Sequence, residues 1–143
     1  MTAGYERVGV LEALSRIDTF SNVRKQALGL IADSLSGRIT VKAGDTLCVE
    51  GEPADRWWIL MGGTAAVSAN GTTVGTVGVN DAVGELALFD GGNRSATITA
   101  ETNLDVLVFD GSNFLEAVET TPDLALRMLQ AAAKRLREVN QLI

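Results

Sequence analysis

The chain is predicted to be an α+β domain, mainly β, with a central sandwich or small barrel between helical ends. Three observations predict it. Between Gly37 and Phe109, short runs rich in Val, Ile, Thr and Trp recur roughly every ten residues, separated by Gly, Asn and Asp. Apolar residues from Leu11 to Leu35 instead follow a helical spacing, and a helical spacing returns after Asp110. At 143 residues with 46% hydrophobic content, the chain fits one domain able to bury roughly two-thirds of its unfolded surface.

In chain order, Leu14, Ile17 and Phe20, then Val23, Ala27, Leu30, Ile31 and Leu35, suit two amphipathic helical pieces broken near Thr19 to Asn22. Asp18 or Ser21 is the expected cap of the second. Candidate strands follow at Arg38 to Lys42, Thr46 to Val49, Trp57 to Met61, Thr64 to Ala69, Thr72 to Val77, Ser95 to Glu101 and Asp105 to Phe109. In the first, Ile39 and Val41 alternate with polar neighbours, the pattern of a half-buried strand. Asn70-Gly71 between two β-rich runs is a hairpin signal, because a type I′ turn needs positive φ at both central residues. Ala43-Gly44-Asp45 and the stretch from Gly51 to Asp55 mark further turns.

At the end, Asp110 or Ser112 can cap a short helix carrying Phe114, Leu115 and Val118. Thr121-Pro122-Asp123 then supplies an N-cap, a proline at the first helical position and an acidic first turn. Along the last helix Ala125, Leu129, Ala132, Leu136, Val139 and Ile143 recur with alternating spacings of four and three, an a/d seam. A helix lying on its own barrel fits this pattern, and so does one packing against its twin across a two-fold axis.

Composition removes several function classes. The net charge is −6 and the basic residues are dispersed, so a nucleic acid contacted by this chain is not expected. The N-terminus lacks the basic start and apolar core of a signal peptide, and no apolar run approaches the ~18 residues of a membrane span. A cytoplasmic location follows as an expectation. Zero histidine removes Ser-His-Asp triads, His-based zinc sites and most histidine acid/base chemistry. Catalysis by carboxylates alone stays open but has no positive support, and neither a catalytic residue nor a metal site is expected. Cys48, the lone cysteine, is read as a buried inert thiol.

The segment with chemistry in it is GELALFDGGNRSAT, residues 84 to 97. An arginine offers an anion a planar fork of donors, and a serine hydroxyl with nearby backbone N–H groups completes a cradle. Gly84, Gly91 and Gly92 permit close backbone approach, and ELALF can form one helical turn. A carboxylate at Glu85 is a poor neighbour for bare phosphate, but it accepts hydrogen bonds from hydroxyls. A sugar phosphate or nucleotide presents both groups. The plainer reading, a Glu85 to Arg94 pair across a hairpin, needs no such glycine-rich loop, since a surface ion pair contributes under ~1 kcal/mol.

With GELAL followed by RSAT, VKAGDTLCVEGEPADRWWIL, GGTAAV and LDVLVFD running into a helix, nearly the whole chain resembles the cyclic-nucleotide-binding domains of catabolite activator proteins, cyclic-nucleotide-dependent kinases and cyclic-nucleotide-gated channels. The resemblance implies a single domain over 1–143. Its parts would be N-terminal helices in 11–35, an antiparallel eight-stranded jelly-roll β-barrel over 37–109, and two C-terminal helices over 110–143. A phosphate-binding cassette at 83–96 would carry a short helix. It further implies that Glu85 takes the ribose 2′-hydroxyl, Arg94 the cyclic phosphate and Ser95 the phosphate or base. The backbone of Gly84, Leu86 and Ala96 would add donors.

Two departures are visible. Asn93 stands where many family members have proline, which loosens the loop without removing a ligand. The family's transcription factors continue into a helix-turn-helix after the long helix, whereas this chain stops at Ile143, so transcription-factor activity is not expected of it. The metal site of cupins is excluded by the missing histidines.

The resemblance places the C-terminal helix over the base, with Arg127, Lys134 and Arg135 as candidate lid residues. Solvated residues complementing the helix dipole are the plainer reading of each, and of Arg137. At least one of Trp57 and Trp58 is read as core, and base stacking is not expected of them. The leading expectation is a non-enzymatic, cytosolic regulatory domain with no cofactor, whose ligand is a cyclic purine nucleotide, cAMP ahead of cGMP. A homodimer through the last helix and an effector protein or parent chain are the expected partners. The alternative is an interaction or dimerisation module of the same fold with an empty or degenerate pocket. An enzyme such as a phosphodiesterase or phosphosugar isomerase ranks third, for want of metal-ligand clusters and an evident base.

Overall fold

The computed structural model describes residues 3–140, with side chains for 9–134, 136 and 137. These residues group into two compact units, one formed by the chain up to Asp33 and from Glu116 onward, the other by Ser34–Leu115.

The first unit is helical. α1 spans Ala3–Ser15, a 3-10 turn covers Asp18–Phe20, and α2 spans Lys25–Ala32. The predicted break near Thr19 to Asn22 is therefore present. Neither expected cap is used: the N-cap of α2 is Arg24, in an extended conformation and without a side-chain bond, while Ser21 Oγ–H turns back to the Asp18 carbonyl at 2.9 Å. Helix also ends earlier than the apolar spacing suggested, because Leu35 opens the first strand. The remainder of this unit comes from the C-terminal part of α4 (Gly111–Thr120) and from α5 (Pro122–Asn140). α5 packs on the 3-10 turn, with Leu124 and Met128 buried.

That packing leaves the a/d seam outward. Ala125 is half-buried and Ala132 exposed, and Leu129 and Leu136 are 66% and 61% exposed. The Val139 side chain and Ile143 lie outside the described residues.

The second unit contains eight strands in two antiparallel sheets of four. They are β1 (Leu35–Val41), β2 (Thr46–Cys48), β3 (Arg56–Gly62), β4 (Ala65–Ala69), β5 (Thr72–Val77), β6 (Ala82–Val83), β7 (Thr97–Ala100) and β8 (Leu104–Asp110). One sheet has the order β1-β8-β3-β6 and the other β2-β7-β4-β5. The β4–β5 hairpin turns at Asn70 and Gly71 with φ of 54° and 79°, as a type I′ turn requires. β6, which the residue pattern did not foretell, is two residues long and pairs Val83 with Trp58 and Ala82 with Ile59.

Side chains from both sheets meet in one apolar layer that includes Trp58, Leu60, Ala65, Val83, Ile98 and Val106. Trp57, the neighbour of Trp58, points to the other face of its sheet, as strand alternation demands. It stacks on Phe109 at 4.3 Å between ring centroids and meets Phe114 at 4.9 Å. Phe114 in turn meets Phe89 edge-on at 5.8 Å. Both tryptophans are buried. Asp110 Oδ2 accepts from the Asn113 N–H at 2.8 Å, so the predicted Asp110 cap starts α4.

Candidate functional site

The cassette begins where β6 ends. Gly84 takes φ +85°, a conformation open to glycine because it lacks a Cβ. Glu85 follows as N-cap of the one-turn helix α3 (Leu86–Phe89), as ELALF predicted. Leu88 is buried and Leu86 is 67% exposed. The return loop carries Gly91 at φ +62° and a tight turn in which Asp90 Oδ1 accepts from the Gly92 N–H at 2.8 Å.

Arg94 is then fixed from several directions. Its N–H donates to the Glu52 carbonyl at 2.8 Å, and its own carbonyl accepts from the Gly51 N–H at 2.9 Å. A further bridge joins Pro53 to Asn93. The Gly51 to Asp55 turn thus acts as an anchor for the cassette, a role its sequence did not announce. Within the side chain, Nη1 donates to the Gly84 carbonyl at 3.0 Å and Nη2 to the Arg56 carbonyl at 2.7 Å. The guanidinium carbon lies 4.7 Å from the centre of the Trp58 ring.

Glu85 and Arg94 are each only 6% exposed. Two buried ionisable side chains in one short segment are unusual, because desolvating a charge is costly unless it is compensated. Arg94 also shapes the field around it. Asp55 is held below the usual carboxylate range first by its hydrogen bonds to Arg56 and further by the charge of Arg94. Burial pushes the Cys48 thiol up, an effect that Arg94 partly opposes.

A cavity of about 340 Å³ opens beside this group, lined by Ile39, Val41, Leu47, Cys48, Trp58 and Arg94 among others. Arg94 is the sequence-predicted ligand that reaches it. Ser95 is exposed and Ala96 half-buried, and the Ala96 carbonyl accepts from the Cys48 thiol at 3.7 Å. Cys48 is half-buried, not buried as expected, because β2 is a short edge strand of its sheet facing this cavity. Trp58 and the Arg56 carbonyl were missed by sequence reasoning. An aromatic residue inside an apolar strand carries no signal of an arginine above it.

The lid candidates belong to the helical unit. Arg127 is engaged along its own helix, with Nε 3.7 Å from Asp123 Oδ1 and Nη1 donating to Gln130 Oε1 at 3.3 Å. Lys134 is exposed, and the Arg135 side chain lies outside the described residues. Among the described residues, no group of three or more His, Cys, Asp or Glu is placed to hold a metal ion, and no helix is long and apolar enough to cross a membrane.

A buried arginine and a buried glutamate thus share one glycine-rich loop carried by two four-stranded sheets. The family model for the cyclic nucleotide-binding domain matches residues 38–121, and the chain belongs to that family. It is 27% identical over 134 residues to the CRP-like cAMP-activated global transcriptional regulator of Mycobacterium tuberculosis, covering 90% of this chain and 59% of that protein. It is 31% identical to the cAMP-dependent protein kinase regulatory subunit of Aspergillus niger, covering 89% of this chain and 31% of that one. The crystal structure of the N-terminal domain of a transcriptional regulator from Streptomyces coelicolor A3(2) superposes with a TM-score of 0.72 at 31% identity, covering 92% of this chain and 96% of that one. This chain thus spans less than two-thirds of the length of these curated relatives. The matched family is one of regulatory binding domains and not of catalytic ones.

Proposed function

We propose that this domain senses a cyclic purine nucleotide, with cAMP preferred to cGMP, and that residues 84–96 are its phosphate-binding cassette. The observation that carries the reading is the buried guanidinium of Arg94, held by two carbonyls at the inner end of a glycine-rich loop. Arg94 supplies the countercharge to the cyclic phosphate and Glu85 accepts from the ribose 2′-hydroxyl. Ser95 donates to phosphate or base, and the backbone of Gly84, Leu86 and Ala96 adds contacts. The names of the mycobacterial and fungal relatives, which specify cAMP, support that choice of base.

Signalling requires that ligand binding favour one conformation over another, and only contacts present in one of the two can supply the difference. Phosphate capture by Arg94 draws on the loop that carries α3, and Phe89 at the end of α3 touches Phe114 at the start of α4. α5 is the proposed responder, as a lid through Arg127, Lys134 or Arg135, as a dimerisation helix, or as both. Its exposed Leu129 and Leu136 favour self-association. The domain would act in the cytosol, through an effector protein or a parent chain.

Calorimetric titration of the purified chain with cAMP and cGMP tests the reading. Wild type should bind cAMP the more tightly, and Arg94→Ala should abolish measurable binding while keeping a cooperative melt. Wild-type affinity in Arg94→Ala would sink the assignment. The interaction-module alternative is favoured if sedimentation shows a dimer whose assembly and stability ignore saturating nucleotide.

A further inference from the structure

We propose that Trp58 is a positioning residue for Arg94: its indole face is the platform that aims the guanidinium at the ligand. The inference rests on the reading of Arg94 as the phosphate ligand and deepens it.

Three elements converge on this contact. Trp58 sits in the middle of β3 with its backbone paired to Val83 of β6 on one side and Val108 of β8 on the other, so the ring projects from a rigid three-strand segment. The guanidinium lies over that ring, with its carbon 4.7 Å from the centroid, within the range at which a cation is attracted to an aromatic face. Gly84 closes the arrangement. A Cβ built there would lie 2.7 Å from Arg94 Nη1 and 2.9 Å from Trp58 Cζ3, so a missing side chain at position 84 is what lets cation and ring meet beside the Gly84 carbonyl.

The chemistry of the contact explains why an aromatic ring serves here. Trp58 and Arg94 are 4% and 6% exposed, and at that burial a guanidinium needs compensation for lost water. An indole face and two backbone carbonyls provide part of it, and these neutral contacts orient the planar fork without cancelling its charge. An arginine so held is preorganised, and binding does not have to freeze a long flexible side chain. An aliphatic residue at position 58 would fill space but would leave the guanidinium facing a surface that offers no electrostatic attraction.

Nucleotide affinity and melting temperature, measured side by side, separate positioning from packing. Trp58→Leu should weaken cAMP binding by about tenfold, and Trp58→Phe, which keeps a ring, by about threefold at most. Leu60→Ala, which opens the same apolar layer two residues along β3, should lower the melting temperature yet leave affinity within about twofold. Trp58→Leu binding within twofold of wild type, or Leu60→Ala losing as much affinity as Trp58→Leu, overturns the proposal. Should Trp58→Leu fail to fold, Trp58→Met carries the test: it fills much of the same space without a ring and should weaken cAMP binding by about tenfold. Trp58→Met binding within twofold of wild type overturns it. If wild type itself binds neither cAMP nor cGMP, the nucleotide reading fails and this proposal with it, whereas a binding wild type that ignores Trp58→Leu removes the proposal alone.

Discussion

Arg94 and Gly84 stand ten residues apart in the chain and are joined by a 3.0 Å hydrogen bond from Nη1 to the Gly84 carbonyl. The bond exists because position 84 combines a positive φ with no side chain, so the arginine reaches the backbone where a Cβ would otherwise stand.

Gly84→Ala should therefore damage both fold and site. Alanine at this φ costs about 1–3 kcal/mol in backbone strain, and its methyl collides with Arg94 Nη1 and the Trp58 ring. The expected result is a lower denaturation midpoint together with a loss of cAMP affinity greater than the tenfold forecast for Trp58→Leu. Unchanged affinity by calorimetry would show that Arg94 tolerates displacement.

Phe114 is fully buried between Trp57 and Phe89. Phe114→Ala should destabilise the domain by about 3–5 kcal/mol, the usual range for emptying a buried aromatic site. Urea denaturation followed by circular dichroism measures it. A change below about 1 kcal/mol would mean that neighbouring side chains collapse into the space.

Arg38 and Asp105 pair across β1 and β8 through two hydrogen bonds of 2.8 and 2.6 Å. Hydrogen bonds from Arg38 hold the Asp105 carboxyl below its usual range. A depressed carboxyl stabilises the folded state above the unfolded carboxylate pKa, near ~3.9, and that contribution disappears as pH falls through the lower folded value. Side-chain exposures of 58% and 41% keep it under about 1 kcal/mol. Asp105→Asn should thus be slightly less stable than wild type at neutral pH, with the gap closing in acid. A gap that widens in acid would contradict the pairing.

Cys48 should resist alkylation. Burial raises its thiol pKa, which lowers the thiolate fraction at neutral pH. Iodoacetamide should modify the folded chain more slowly than the urea-unfolded chain, and its rate should rise at a higher pH. Equal rate profiles in the two states would show that the thiol is not shielded.

Local signals in the residues were legible where the chemistry was local. β5 runs from Thr72 to Val77 as its Val and Thr content foretold, and Asn70-Gly71 turns as its φ preferences require. The pairing of a glycine with Glu85 and of Arg94 with Ser95 singled out the loop on which a buried carboxylate and a buried guanidinium are found. β6 escaped notice because two residues carry no periodicity. The cap of α2 escaped because tertiary packing, not a capping side chain, sets where that helix begins. On α5 the strongest apolar repeat is the outward face, while Leu124 and Met128 turn inward. A repeat reveals that a helix has an apolar stripe but not which neighbour covers it.

Residue identity alone thus predicted an α+β domain with strands between helical ends, singled out the glycine-rich segment at 84–97 for its anion-binding chemistry and, by the absence of histidine, excluded histidine-based chemistry. Folding decided the rest: the pairing order of the eight strands, the exposed face of α5, and the seat of Arg94 between Trp58, Gly84 and the carbonyl of Arg56, 38 residues away. The division has a physical cause. Turn geometry, capping and donor chemistry act over a few neighbouring residues and leave their mark in spacing. A contact between distant strands depends instead on which faces are buried together, and that is set by the energy of the whole chain.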